Sequence, residues 1–308
     1  LRNLIFSWKS TRWLRQHHTE FDLIKVNGAI THFPSDVNAV HFVHSAWARS
    51  RIHTARVHRN LYGLYQWLYT TFNATWERQA FRKATIVVAV SQKVKEELIA
   101  IGIPEKKIQV IANGVDLNEF YPVRVERNSW ELPEKVPLAL FVGDLRTPRK
   151  NLDTVLHALV KVRELHLAVV GSTEGSPYPE LATELGIKEQ VHFLGYCQDI
   201  AQIMQAVDFL IFPSRYEPFG LVLLEAMAAG LPVITVKTVG AADLVSADCG
   251  FVLSDSEDTQ ALAEALDSLG NHGDLRKKMG QAARAVAQKH TWAVMARSYL
   301  NLFEKLNH

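Results

Sequence analysis

Short apolar runs rich in β-branched residues alternate with amphipathic stretches along nearly the whole chain, and this rhythm limits what the chain can fold into. The runs are Leu23–Val26, Val40–Val43, Thr85–Val90 and Ile108–Ile111, then Leu138–Val142, Leu167–Val170, Val191–Leu194, Phe209–Phe212 and Val233–Val236. Between them, Gln92–Ala100, Leu152–Val162, Ile200–Ala206 and Thr259–Leu269 carry apolar residues at helical spacing. Strands buried on both faces read as continuous apolar runs, and strand–helix–strand alternation builds parallel sheets covered by helices. The expected fold class is therefore α/β, with Rossmann-like parallel sheets. Several runs end at Gly, Asn or Pro (Asn113, Gly143, Gly171, Gly195, Pro213), where open α/β sheets carry their ligand-binding loops.

The 308 residues suit about two domains. The segment Tyr121–Pro137 has three prolines, three glutamates and no apolar period. It reads as a linker, so the expected division is 1–122, a linker at 123–136, a second domain at 137–290 and a closing helix at 291–308. Charge is divided in a similar way. Residues 1–83 carry twelve Lys and Arg against four Asp and Glu, and five of the seven tryptophans, while the remainder is mildly acidic. Such a basic, aromatic surface suits an anionic membrane or an acidic acceptor, and 47–83 is the stretch expected to meet a membrane surface. Nucleic acid is not an expected partner, because no nucleic-acid-binding signature appears. An apolar fraction of 48% with a net charge of +2 excludes disorder. No run of about 18 apolar residues occurs, since Glu225 interrupts Leu221–Ile234. Arg2, Lys9, Arg12 and Arg15 leave no apolar core for a signal peptide, and two cysteines suit a reducing compartment. A cytoplasmic location is expected.

Chemistry is concentrated in Phe209–Ile234, which reads as strand, loop, helix, loop, strand. The helix is expected from about Phe219 to Gly230, with Gly230 at its C-terminal cap and Pro232 beyond. The free amides near Phe219, Gly220 and Leu221, with the helix dipole behind them, make an anion site. Glu217 precedes the helix and Glu225 is its only polar residue, so Glu225 is expected to be buried. A buried carboxylate needs hydrogen-bond donors, which a vicinal diol such as ribose supplies. The plainer alternative is a dipole-stabilising Glu217 and an internally bonded Glu225. After the strand Leu138–Val142, Gly143 is followed by Arg146, Arg149 and Lys150, a cluster suited to a diphosphate and equally to solvent. His44 is expected at the end of a strand, as a site residue or as an ordinary loop histidine.

The stretch Pro213–Gly230 resembles the E-x7-E motif of the retaining glycosyltransferases of family four, whose fold is GT-B. Ala89–Ser91, Val110–Asp116, Phe141–Gly143, Lys150–Leu152, Val169–Gly171 and Val191–Gly195 match further family segments in order, and the resemblance covers roughly residues 20–308. It implies two Rossmann-like domains facing across a cleft, the second holding a nucleotide-sugar donor. Glu225 matches the ribose-binding glutamate and Glu217 the one that contacts the donor sugar. Phe219, Gly220 and Leu221 match the loop whose amides hold sugar and phosphate, and Lys150 the diphosphate-binding lysine. His44 matches a first-domain histidine near the reaction centre, Gly195–Asp199 should lie near the base, and the closing helix should cross back onto the first domain. Two departures stand out. Asp144 occupies a position where much of the family has arginine, for which Arg146 is the expected substitute. The family also begins with a strand and Gly-rich loop well before the strand matching Phe21–Val26, whereas this sequence starts at Leu1, so the first domain is expected to be incomplete.

The implied activity is transfer of a hexose from a UDP- or GDP-linked sugar to a glycan or lipid-linked glycan, with retention and with no metal or other cofactor. Lys150, Arg146 and the helix amides would stabilise the leaving diphosphate. The alternatives are another GT-B enzyme, such as a phosphorylase or epimerase, and a catalytically silent nucleotide-sugar-binding or scaffold protein.

Overall fold

The computed structural model describes residues 2–307 and divides into two compact units, Leu1–Asn113 with Ala293–His308, and Gly114–Trp292. In chain order the first unit contains α1 (Arg2–His17), β1 (Lys25–Asn27), β2 (Val37–Val40), α2 (His44–Arg49), α3 (Thr54–Val57), α4 (Leu61–Lys83), β3 (Ile86–Ala89), α5 (Gln92–Ala100) and β4 (Ile108–Val110). Its sheet has the order β1-β2-β3-β4 and every pairing is parallel. Side-chain caps fix where the helices begin. Asn60 accepts from the Gly63 amide at the start of α4, and Ser91 from the Val94 amide at the start of α5.

The strand expected at Val40–Val43 lies three residues earlier, at Val37–Val40. Asn38 interrupts the apolar run there, and Gly28 satisfies its buried amide through both of its backbone polar groups. The strand ends at Val40, so His44 opens the short helix α2 instead of ending a strand.

The second unit contains β5 (Leu138–Val142), α6 (Leu152–Leu159), β6 (His166–Val170), α7 (Tyr178–Glu184), β7 (Val191–Gly195), α8 (Ile200–Ala206), β8 (Phe209–Phe212), α9 (Leu221–Ala228), β9 (Val233–Val236), β10 (Gly250–Leu253), α10 (Thr259–Asn271) and α11 (Gly273–Ala287). Its parallel sheet has the order β10-β9-β8-β5-β6-β7. The strand order reverses between β5 and β8, the position where open α/β sheets leave a crevice at their C-terminal edge. Phe141, Phe209, Ile211, Leu156 and Leu266 form part of a core beneath that edge. The edge strand β10 was not among the expected strands. It is half-exposed and begins with Gly250, where a Cβ would stand 2.0 Å from the Val233 carbonyl oxygen.

Residues 123–136 were read as a linker, but they belong to the second unit. Arg127, only 2% exposed, anchors them. Its guanidinium donates to the carbonyls of Ala206, Pro133 and Val136 and to Asp208, all within 2.7–2.8 Å. The final helix, α12 (Trp292–Leu306), packs Leu302, Tyr299 and Phe303 against Val37, Ala39 and Val88 of the first unit.

Candidate active site

The loops that follow β5 and β8 meet at the strand-order reversal. The β5–α6 loop carries Gly143, Arg149 and Lys150, and the β8–α9 loop carries Glu217, Phe219 and Gly220. Asn151 and Arg215 tie the two loops together. The Asn151 amide donates to the Pro213 carbonyl at 3.0 Å and to that of Ser256 at 2.7 Å. The Arg215 N–H donates to the Arg149 carbonyl at 2.9 Å, and its guanidinium to the Pro148 carbonyl at 2.8 Å. The same guanidinium forms two bonds to Asp153 and two to Glu257. Such forked pairs fix direction as well as distance.

Within this frame the Lys150 ammonium donates to Glu217 Oε2 at 2.5 Å, and Arg149 approaches the same oxygen at 3.4 Å. Lys150 also lies over the Phe212 ring, 4.6 Å from its centroid. Burial pulls the Lys150 ammonium below the usual lysine range, against the opposing pull of Glu217. Gly143 leaves room for the lysine stem, since a Cβ there would come within 2.8 Å of Lys150 Cγ. Backbone bonds hold Glu217 to the loop after β9. Its N–H donates to the Thr238 carbonyl, and its own carbonyl accepts from Gly240.

Helix α9 starts at Leu221, two residues later than expected, so Phe219 and Gly220 precede it. Gly220 is the N-cap with φ 93°, a left-handed conformation that glycine adopts freely, and a Cβ there would crowd Phe212 and Val239 at 3.0 Å and Glu217 at 3.3 Å. The amides of the first turn have no partner four residues back within the helix, and no acidic side chain occupies that turn. The C-terminus follows the expected pattern, with Gly230 at φ 78° and the Leu231 N–H bonded to the Ala226 carbonyl.

The helix is not buried all round. Leu221, Val222 and Glu225 share a partly open face, while Leu223, Leu224, Ala226, Met227 and Ala228 are buried. The Glu225 carboxylate has no hydrogen-bond partner among the described residues. Burial, with a smaller contribution from nearby Glu119, pushes its carboxyl up to about 7.

Of the residues singled out from sequence, Gly143, Lys150, Glu217, Phe219 and Gly220 come together at the loop junction, and Leu221 and Glu225 follow along α9. Arg146 does not join them. It is 64% exposed, and its guanidinium binds Asp144, two residues earlier, at 3.0 and 3.4 Å. His44 belongs to the first unit, where its Nδ1 stands 2.7 Å from Glu77. Gly195 has φ 72° and precedes the exposed Tyr196. Arg149, one of the expected basic cluster, joins Lys150 at Glu217, whereas Asn151 and Arg215 were not among the expected site residues. Their adjacency to Lys150 and Glu217 in the chain was the available signal.

A family model described as Glycosyl transferases group 1 matches residues 123–286, more than half of the chain. A second, described as Glycosyltransferase Family 4, matches residues 1–119. The chain belongs to the group 1 glycosyl transferases. This group 1 glycosyl transferase is 29% identical over 299 residues to an uncharacterized glycosyltransferase of Methanocaldococcus jannaschii, covering 92% of this chain and 75% of the relative. It is 32% identical over 240 residues to the D-inositol 3-phosphate glycosyltransferase of Corynebacterium jeikeium, covering 72% of this chain. The match spans 57% of that protein, so the chain covers little more than half of such relatives.

Among solved structures it is similar to the sucrose-phosphate synthase of Thermosynechococcus elongatus, with a TM-score of 0.79 and 23% identity over 97% of this chain and 78% of that one. It is also similar to HepE of Anabaena, solved with UDP and glucose, with a TM-score of 0.69 and 22% identity over 88% of this chain and 78% of that one. These likenesses establish the GT-B fold for the group 1 glycosyl transferase, and the family-level expectation from sequence is met.

Proposed function

We propose that the second unit binds a nucleotide-diphosphate sugar where the β5–α6 and β8–α9 loops meet, and that the chain transfers the hexose to a hydroxyl acceptor with retention of anomeric configuration. The observation that carries this reading is the Lys150–Glu217 pair beside the free amides of α9, at the strand-order reversal. Lys150 and Arg149 supply positive charge for the diphosphate without a metal, and the amides of Gly220 and Leu221 add donors. This reading gives Arg149 the part that the sequence had pointed to Arg146 for, because Asp144 holds Arg146. Among the described residues no donor reaches the Glu225 carboxylate, and a ribose diol offers two. The donor is UDP- or GDP-linked, and the UDP complex of the similar HepE favours the first.

In the reaction, the bond between the anomeric carbon and the β-phosphate oxygen breaks, and the electron pair leaves with the diphosphate. The acceptor oxygen bonds the same face of that carbon, and its proton passes to the departing phosphate. Glu217 orients the sugar and stabilises the oxocarbenium-like charge. His44 is the first unit's proposed contribution, by resemblance to the family. Glu217→Gln is expected to abolish donor turnover while sparing nucleoside diphosphate binding. Loss of both together would contradict this division of roles, and binding with no turnover in the wild type would favour a silent binding protein.

The acceptor in this reading is a glycan or lipid-linked glycan in polysaccharide biosynthesis, met at the cytoplasmic face of an anionic membrane. Support comes from 47–83, where Leu61, Tyr62, Leu64, Tyr65, Trp67 and Phe72 are all more than half exposed on α4, close in sequence to Arg56 and Arg59. Trp76 is buried, with its ring edge-on to Phe72 at 5.5 Å, so it supports that surface from beneath. Among the described residues no helix is long and apolar enough to cross a membrane. Basic and aromatic side chains of this kind bind anionic interfaces. Liposome co-sedimentation should show binding to phosphatidylserine vesicles well above neutral ones, and equal binding would rule the membrane part out.

A further inference from the structure

We propose that Glu77 is a positioning residue that fixes the tautomer and direction of the His44 imidazole, a role that rests on the reading of His44 given above. Glu77 lies on α4 and is 2% exposed. One carboxylate oxygen stands 2.7 Å from His44 Nδ1, and the other accepts from the Ser45 amide at 3.2 Å. Among the described residues no lysine or arginine pairs with it. Taking a carboxylate out of water costs several kcal/mol, which its two hydrogen bonds offset only in part, so a glutamate here is an expensive way to tie two helices together. A buried apolar side chain would join α2 to α4 without that cost.

The carboxylate supplies something an apolar side chain does not. An ionised Glu77 can only accept, so the proton on this side of the ring must reside on His44 Nδ1. In the neutral imidazole that leaves Nε2 as a lone pair, able to accept from a ligand hydroxyl. Because the Ser45 amide holds the second carboxylate oxygen, the carboxylate itself is fixed in direction. The Phe42 ring meets His44 edge-on at 5.0 Å, and Tyr69 approaches it edge-on at 6.5 Å. His44 and Glu77 both line a cavity of about 390 Å³, together with Asn27, Gly28, Tyr69 and Asn73. The arrangement is a histidine oriented by a buried carboxylate and opening on a mainly apolar cavity that carries a few polar groups, all within the first unit.

Glu77→Gln is the informative substitution. To keep the bond from the Ser45 amide, the new side chain must turn its NH₂ group toward His44. Nδ1 then has to accept, and the proton moves to Nε2. Long-range ¹H–¹⁵N NMR of ¹⁵N-histidine-labelled protein reads this directly, with His44→Asn identifying the signals. The wild type should show the Nδ1–H tautomer and Glu77→Gln the Nε2–H form. An Nε2–H tautomer in the wild type, or no change in the variant, would overturn the proposal.

Turnover is followed as nucleoside diphosphate release from UDP-glucose and GDP-mannose. Glu77→Gln should lower kcat by about 10- to 100-fold with a smaller change in KM, the scale of loss when a carboxylate that orients a metal-bound histidine is removed. In a His44→Ala background Glu77→Gln should lower it no further, and in the wild-type background Glu77→Asp should lose less than Glu77→Gln. Full turnover in Glu77→Gln beside a damaged His44→Ala would overturn the proposal and leave the reading of His44 standing. Wild-type turnover in His44→Ala would end that reading, while the NMR result would still decide the tautomer.

Discussion

At the scale of single residues, Glu225 ties stability to pH. Its carboxyl is pushed up to about 7 from an ordinary value of 4.5, chiefly by burial. Between those values the unfolded chain has released a proton that the folded chain still holds. Stability therefore falls as pH rises through this window, and the full cost is reached above about 7. At 1.36 kcal/mol per pKa unit, less a discount for partial exposure, the cost is about 2 kcal/mol. Glu225→Gln should remove this slope, leaving a variant more stable than the wild type at pH 8 and nearly equal to it at pH 4.5. Urea unfolding across that range measures the effect, and parallel curves for the two proteins would contradict it. Lys150 and Glu217 were legible in the sequence because their neighbours punctuate strand ends. Arg146 was misleading for a local reason, since Asp144 two residues earlier holds its guanidinium.

At the scale of elements, β5, β8, β9, α5 and α8 have the boundaries read from the sequence. The three strand runs are continuous and marked by Gly143, Pro213 or Pro232, and Ser91 caps α5. Strand β2 was displaced because its buried polar residue, Asn38, is satisfied by a partner ten residues away. The junction of the two site loops was not legible at all. Arg215 makes its bonds to Asp153 and Glu257 across about sixty and forty residues, and no local pattern announces such a fork. Arg215→Ala should release the β8–α9 loop from the β5–α6 loop and destabilise the second unit by about 1–3 kcal/mol, since Arg215 is mostly buried but its carboxylate partners are partly exposed. Arg215→Lys should rescue little, because an ammonium does not reproduce the two-pronged geometry. Thermal unfolding with and without UDP checks both. A wild-type midpoint and undiminished UDP protection in Arg215→Ala would refute this account of the loop junction.

At the scale of the whole molecule, alternation along the chain announced parallel sheets, and the strand order supplied what alternation cannot, the location of the reversal between β5 and β8. Composition misled at 123–136, where prolines and glutamates read as a linker. The decisive interaction is the burial of Arg127 against Asp208, 81 residues away. Removing Arg127 leaves Asp208 with a neighbouring Arg124 that is 3.6 Å away and mostly exposed. Arg127→Ala should therefore cost about 3–5 kcal/mol of second-unit stability. A loss below about 1 kcal/mol by denaturant unfolding would make this segment a loose connection after all.

The central claim is a nucleotide-sugar donor site built around Lys150, and thermal stabilisation tests it most directly. The protein is heated with UDP, GDP, ADP and their sugars, each in large excess, beside Lys150→Ala. A ligand at 100 times its dissociation constant adds about 2.7 kcal/mol, enough to raise the midpoint visibly. The prediction is a rise with one base, uracil or guanine, that Lys150→Ala largely loses. No rise with any nucleotide, or an equal rise in Lys150→Ala, would contradict the site.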